Sequence, residues 1–381
     1  QSAEVEIVAH EESATPRRLR YQVSLAVREV YDDNINLNQN NPKGDLYTVI
    51  EPSINLGIGD ADNNFVNLSY TPDAYIFASH SENDAVQHII ALAGQYRFPL
   101  LSLDLTQDIQ ILDGTGLSSP TGTGTDFTRT NLDVAGRTRV NIYTTRINAN
   151  YSLTGKTFLT GGVSYGLSDY SSLISSSVLS GNFYLNYTYS PKLTIGLGLS
   201  SGLNFVDAPS QDQTFEQINA RASYELTGKV SATVSAGVEF RQISGGASDD
   251  GSPVFDGSIF YQPFDGTSLS LTFSRRTQNS ATLGSEDFYS TSVIFSARQR
   301  FLQRVYVGLT VGYENSIYFS TLGGVASNRS DDYYFLQGSL DLNLTSYWVA
   351  GIFYFHREDD SSLDPFSFYD NQLGVRSSLT F

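Results

Sequence analysis

Leu193-Thr194-Ile195-Gly196-Leu197-Gly198-Leu199-Ser200 places an aliphatic side chain at every second position and Thr, Gly or Ser between. A period of two belongs to an extended strand, whose side chains alternate between its faces. One face is greasy and the other is wet. Leu203 and Asn204 keep the same phase. Near the start, Leu19, Tyr21, Val23, Leu25 and Val27 alternate with Arg20, Gln22, Ser24, Ala26 and Arg28. At the end, Leu373, Val375, Leu379 and Phe381 alternate with Gln372, Gly374, Arg376, Ser378 and Thr380.

Such strands suit a soluble sandwich or a barrel in lipid, and the connections separate the two. Short polar links fall near 60–64, 98–100, 154–157, 190–192, 227–229, 264–267, 302–303 and 345–346. Longer ones fall between them at 31–44, 79–83, 113–138, 169–175, 207–213, 244–252, 279–286, 319–330 and 358–365. Short turns on one rim and long loops on the other are the habit of outer-membrane barrels. The expected fold is all-β: a transmembrane antiparallel up-and-down β-barrel of about 18 strands, within roughly 16–20. The upper bound comes from 113–153, where 129–139 reads as either strand or loop. Residues 17–381 form the barrel domain. Residues 1–16 are expected to be a periplasmic tail, with both termini periplasmic.

Composition agrees. No apolar run approaches the ~20 residues of a spanning helix. The chain carries 24 Tyr and 23 Phe, and these fall near strand ends. One set is Tyr96, Phe98, Tyr151, Tyr187, Tyr189, Tyr224, Tyr261, Phe301, Trp348 and Phe381. The other is Phe205, Phe240, Phe255, Tyr289, Tyr313, Tyr334 and Tyr369. Two interfacial girdles are expected, because amphipathic rings favour the headgroup level. The net charge of −17 argues against nucleic acid, which needs clustered Lys and Arg. Cys is absent, so there is no disulfide framework. The chain opens on Gln1 rather than Met, as expected of an exported protein after leader removal. No plug-sized domain precedes the first strand, so an energised receptor is not expected.

Parity selects the candidate pore lining: Arg20, Arg28, Glu51, Asp73, Arg97, Asp104, Asp108, Arg146, Arg221, Glu239, Arg241, Arg298 and Arg376. With Arg276, Arg300 and Arg357 and with Glu225, Asp256, Glu314, Asp341 and Asp370 also inward by parity, the set holds 11 basic and 10 acidic residues, so the signs nearly balance, and with many Ser, Thr, Asn and Gln the lumen suits neutral or weakly charged solutes. Counting back from the turn near Asp62 sets Pro52 opposite Pro72 and Glu51 opposite Asp73. The prolines are expected to form a non-hydrogen-bonded pair, each missing donor pointing at the other neighbour. The carboxylates call for a cation, an Arg such as Arg20 or Arg97, or a raised pKa. The segment 113–137 is the longest connection and is rich in Gly, Thr and Ser. It is expected to fold inward as the constriction, with Asp113 and Asp126 among its charged residues and Arg137 and Arg139 near its return to the wall.

No catalytic site is expected. His10, His80, His88 and His356 have no zinc-like spacing and no nucleophile motif beside them. The Gly-rich stretch 114–124 lacks the Lys of a phosphate loop. No cofactor or metal is expected, and the chain does not read as an enzyme.

Several short motifs carry a resemblance. Tyr31-Asp32-Asp33-Asn34 follows the first strand and leads into Ile35-Asn36-Leu37. Further on stand Asp133-Val134-Ala135-Gly136-Arg137-Thr138-Arg139 and Tyr151-Ser152-Leu153-Thr154-Gly155-Lys156-Thr157. These resemble the porin group named "putative β-barrel porin 2", found beside exopolysaccharide synthesis and export functions. The resemblance implies a pore and polysaccharide traffic, and it transfers no catalytic residue. By residues alone the Asp pair reads as an Asx-type turn. The ending Leu373, Val375, Leu379, Phe381 resembles the assembly signal read by the barrel-insertion machinery. Expected partners are outer-membrane lipid, lipopolysaccharide, that machinery, and a periplasmic export partner met through 1–16 by strand addition. The first expectation for function is an outer-membrane channel serving as the exit pore of an exopolysaccharide. A small-solute porin and a non-conducting structural barrel stay open.

Overall fold

The computed structural model describes residues 19–60, 63–115, 133–134, 136–245, 251–322 and 327–381. The tail 1–16 and Asp126 lie outside these residues. In chain order the strands are β1 (Leu19–Asp32), β2 (Asp45–Gly59), β3 (Phe65–Phe77), β4 (Ala85–Arg97), β5 (Leu101–Gly114), β6 (Thr138–Ser152), β7 (Thr157–Tyr170), β8 (Ser176–Ser190) and β9 (Leu193–Val206). They continue as β10 (Gln213–Thr227), β11 (Val230–Ile243), β12 (Ser252–Tyr261), β13 (Thr267–Asn279), β14 (Glu286–Phe301), β15 (Val305–Ser320), β16 (Ser330–Asn343), β17 (Trp348–Ser361) and β18 (Phe368–Thr380).

Each strand pairs antiparallel with its chain neighbours in one 18-stranded sheet. β1 also pairs with β18, which closes the barrel and leaves neither of them as an edge. Closure is what lets strands cross lipid, since every backbone group then finds a partner. No helix among the described residues is long and apolar enough to cross a membrane. The uncertain stretch resolves as the end of β5 and the start of β6, with no added hairpin among the described residues. Gly59 sits at the end of β2 with φ +95, in the left-handed region that glycine enters without penalty.

The outward face is apolar and bare. Leu197 and Leu199 are 69% and 61% exposed, and Ile195 is exposed beside them. In a closed barrel such a face is stable only against lipid. Gly196 is buried on the opposite face, and Thr194 and Ser200 are partly buried there. Among the girdle rings on the bare face, Tyr96 meets Phe98 at 4.6 Å, Tyr289 meets Phe319 at 4.6 Å, and Tyr313 meets Tyr334 at 5.0 Å.

One register detail differs from the sequence reading. Ile50 pairs with Ala74 and Ile54 with Tyr70, so Pro52 does lie opposite Pro72. The ladder between β2 and β3 is interrupted between those pairs, whereas β1–β2 and β3–β4 pairing runs on through Leu25–Pro52 and Pro72–His88. The missing donors therefore face each other instead of pointing away. Thr71 Oγ1 donates to Ser53 Oγ at 3.0 Å across the gap. Glu51 and Asp73 stand at the same level on the inner face.

Candidate functional site

The lumen has two unlike halves, and the difference begins at Asp32-Asp33-Asn34. Asp32 Oδ1 accepts from the Asn34 N–H at 2.8 Å, which makes the Asx turn, while Oδ2 accepts from Gln372 at 3.1 Å. Asp33 accepts from the Asn371 backbone at 2.8 Å and its side-chain amide at 2.7 Å. Asn34 donates to the carbonyls of Tyr369 at 2.7 Å and Asn38 at 3.1 Å. The motif thus rivets the β1–β2 loop to β18. Asp32, Asp33 and Asp370 bring carboxylate oxygens within 4.8 Å of one another, a grouping that could hold a hard cation.

With the turn held there, Ile35 and Leu37 go into the barrel. Ile35 packs with Val30, Tyr47, Val49, Phe77 and Phe353. Leu37 packs with Ile294, Tyr333, Phe335, Phe355 and Phe368. Together they bridge the β1–β3 wall to the β14–β18 wall. Burying such side chains contributes about 1.5–3 kcal/mol each. Sequence reasoning missed this plug, although two aliphatics in an otherwise polar loop were the available signal. Replacing both Ile35 and Leu37 with Ala is expected to loosen the loop by several kcal/mol, at ~2–5 each. Faster protease cleavage within 33–44 of folded barrel would register it; unchanged cleavage would count against the plug.

A second loop closes the same mouth. The β13–β14 connection crosses the lumen and buries Ala281 among Leu112, Val140 and Tyr170 of the far wall. Asp133, at the end of the β5–β6 loop, fastens it. Its carboxylate accepts from Ser280 Oγ at 2.8 Å, Thr282 Oγ1 at 2.9 Å, Tyr318 Oη at 3.0 Å and the Thr282 N–H at 3.2 Å. The Ala281 N–H also donates to it. Arg329 approaches Asp133 at 3.4 Å and Asp331 at 2.7 Å, and lies over the Phe366 ring at 3.6 Å. Burial works against the Arg329 charge, but the hydrogen bond and charge of Asp331, with Tyr318 and Asp133, raise its pKa above the ordinary value. The constriction is thus shared among three loops.

Further residues of the β5–β6 connection stand at the rim. Arg137 donates to the Asn83 carbonyl at 2.9 Å and lies over Phe77 at 5.4 Å, with Asp113 3.8 Å away. Burial lowers its pKa, and Asp113 opposes the shift. Arg139 corrects the sequence reading. It is a β6 residue, exposed and paired with Asp113 of β5, and strand parity turns it away from the lumen.

Charges on the inner face sort into networks. Arg28 donates Nε and Nη2 to the two Glu51 oxygens, each at 2.8 Å. The counter-ion of the Glu51–Asp73 pair is therefore Arg28. Arg20 instead reaches Asn67 at 3.4 Å, and Arg97 is exposed at the turn rim. Arg241 pairs with Glu239 at 2.9 Å and donates to Gln213 at 2.6 Å; Gln213 donates on to Asp287 at 3.0 Å. Arg357 pairs with Asp370 at 2.6 Å. Arg376 donates Nε to Asp341 at 2.8 Å. Arg146 stands 3.6 Å from Asp108, and Gln95 donates to Asp104 at 2.9 Å. Arg298 lies over the Tyr306 ring at 4.7 Å. A small cavity of about 50 Å³ lies among Arg28, Asp32, Tyr47, Tyr75, Arg137, Arg357 and Gln372.

The half toward the short turns is not packed. Arg146, Asn148, Asn182, Ser223, Ser231 and Thr233 face inward there and are exposed. β6 to β9 present amides, hydroxyls and glycines along this wall, with no inward carboxylate. Water can fill this half, whereas the loop half is closed by side chains.

Leu373 and Val375 are exposed on the outward face of β18, and alternation places the partly buried Leu379 on that face beside Trp348. Phe381 exchanges backbone hydrogen bonds with Val23 at 3.0 and 2.8 Å and stacks on Tyr347 at 6.2 Å, closing the seam at its turn end.

Residues 216–381 match the family described as "Putative beta-barrel porin 2". No curated protein matches the chain. Among solved structures, the chain is similar to OpdO of Pseudomonas aeruginosa, with 11% identity, a TM-score of 0.48, and coverage of 95% of this chain and 97% of that one. It is similar to OpdK of the same organism, solved with vanillate, at 10% identity and a TM-score of 0.47, covering 95% and 99%. The siderophore receptor PirA, also from Pseudomonas aeruginosa, aligns at 11% identity and a TM-score of 0.46, covering 97% and 81%. The family match and the barrel point to a channel rather than an enzyme. Over β10 to β18 the chain is similar to that porin family, and as a whole it is a closed 18-stranded antiparallel β-barrel of the outer-membrane type.

Proposed function

We propose that this barrel is the outer-membrane exit channel for a polar glycan of the exopolysaccharide kind. One observation carries the reading: the water-accessible wall of β6 to β9 offers amides, hydroxyls and glycines without an inward carboxylate. Sugar hydroxyls are held by such groups, and the absence of fixed anions leaves a polymer free to move past them. The family's setting beside exopolysaccharide export functions supports the same substrate. In this reading the short turns and both termini face the periplasm, the long loops face outward, and Asp104, Asp108, Glu239, Arg298 and Arg376 belong to the pore lining. Residues 1–16 would meet a periplasmic export partner there.

The closed loop mouth favours a second reading, a barrel that anchors a complex and conducts nothing. Planar-bilayer recording on the purified full chain separates the two. The expected result is a small conductance in the natural protein, which dextran oligosaccharides added on the turn side reduce. A barrel that is silent both in its natural form and with the mouth released by Asp133→Ala would establish the anchoring reading. Passage of disaccharides with exclusion of longer oligosaccharides would make it a small-solute porin.

A further inference from the structure

Arg221 stands on the inner face of β10, about midway along the strand. Its side chain crosses β9 where Gly196 has no side chain to stop it; the guanidinium comes to rest on β8 and β7. Nε donates to Asn186 Oδ1 at 2.9 Å and Nη2 to the same oxygen at 2.7 Å. Nη2 also donates to Thr160 Oγ1. The Tyr184 ring lies beneath the guanidinium at 4.0 Å. Asn186 is buried and held by its own bond to Thr160 at 2.7 Å. The cation is thus fixed in orientation by neutral groups on two strands, β7 and β8.

What it lacks is an anion. Arg28, Arg241, Arg329, Arg357 and Arg376 each lie against a carboxylate. Arg221 meets none among the described residues, and its Nη1 has no hydrogen-bond partner there. A fixed guanidinium without a counter-ion, on a wall free of carboxylates, is arranged to receive one from outside. Ser223, two residues further along β10, and Asn182, two residues before Tyr184, are exposed on the same wall. They can take hydroxyls from a sugar whose acid group is on Nη1.

We propose that Arg221 is a binding subsite for the carboxylate of an acidic sugar unit, so that the glycan of this channel carries uronate-type residues. The proposal rests on the channel reading for its source of ligand, but the site itself is tested by binding without transport. Calorimetry on the folded full-length barrel in detergent would use tri-galacturonate, galacturonate monomer and neutral maltotriose. The trimer is expected to bind, and Arg221→Gln to weaken it at least about tenfold, the usual worth of a charge-assisted hydrogen bond. Arg221→Lys keeps the charge and is expected to lose less. Retained heat-modifiability of both variants would show that the barrel still folds. Trimer affinity unchanged in Arg221→Gln, or equal binding of maltotriose, would overturn the subsite. Monomer binding as tight as trimer would assign the carboxylate to a free small acid and overturn the glycan source. Trimer binding without any conductance would leave the subsite standing and sink the channel reading instead.

Discussion

Replacing Asp133 with Ala is expected to open the loop-side mouth and raise single-channel conductance several-fold. Asp133 is the common acceptor for Ser280, Ala281, Thr282 and Tyr318, and it shares Arg329 with Asp331. Removing one partner of a buried ionic network costs about 3–5 kcal/mol. Arg329 keeps Asp331, so the lower figure applies. About 3 kcal/mol shifts the balance between docked and released hairpin by roughly a hundredfold. The loss is local, because the strand ladders of β13 and β14 do not involve Asp133. Asp133→Asn keeps the shape and some hydrogen bonds, and is expected to fall between the two. Conductance equal to the natural protein in a folded Asp133→Ala barrel would show that the hairpin is not the gate.

The second large effect is expected at Arg28, and it appears as stability. Arg28 and Glu51 are both buried, and Asp73 stands beside them with Oδ1 lacking a hydrogen bond. All three lie where Pro52 and Pro72 interrupt the ladder, so side chains rather than backbone hold β2 to β3 at that level. Arg28→Ala leaves two buried carboxylates without a cation, an expected loss of about 3–5 kcal/mol. Adding Glu51→Gln removes one of those charges and is expected to restore a large part of the loss. The midpoint of thermal unfolding in detergent, followed by far-ultraviolet circular dichroism, measures both. An Arg28→Ala barrel as stable as the natural one would refute the account. So would a double variant no better than the single one.

The alternation at 193–200, the aromatics near strand ends and the unequal connections were enough to place the strands, their closure and the inward parity of Arg28, Arg221 or Arg376. These properties are local: a strand's faces follow from a period of two, and the turn between neighbours fixes their register. What parity could not supply was the partner. Arg20, Arg28 and Arg97 all point inward, yet only Arg28 lies on the strand beside Glu51 and within reach of it. The orientation of the two prolines depended likewise on which edge of each strand bonds which neighbour. The loops were least legible. Asp133 and Ser280 are 147 positions apart, and no periodicity links them; they meet because closure brings the rims of β6 and β13 across one opening. Ile35 and Leu37 turn inward because Asp32, Asp33 and Asn34 are held by β18, the strand farthest from them in sequence and next to them in the barrel. The sequence thus determined a barrel with a polar interior, since its signals repeat within each hairpin. Whether that interior stands open was decided by contacts that exist only once the last strand has met the first.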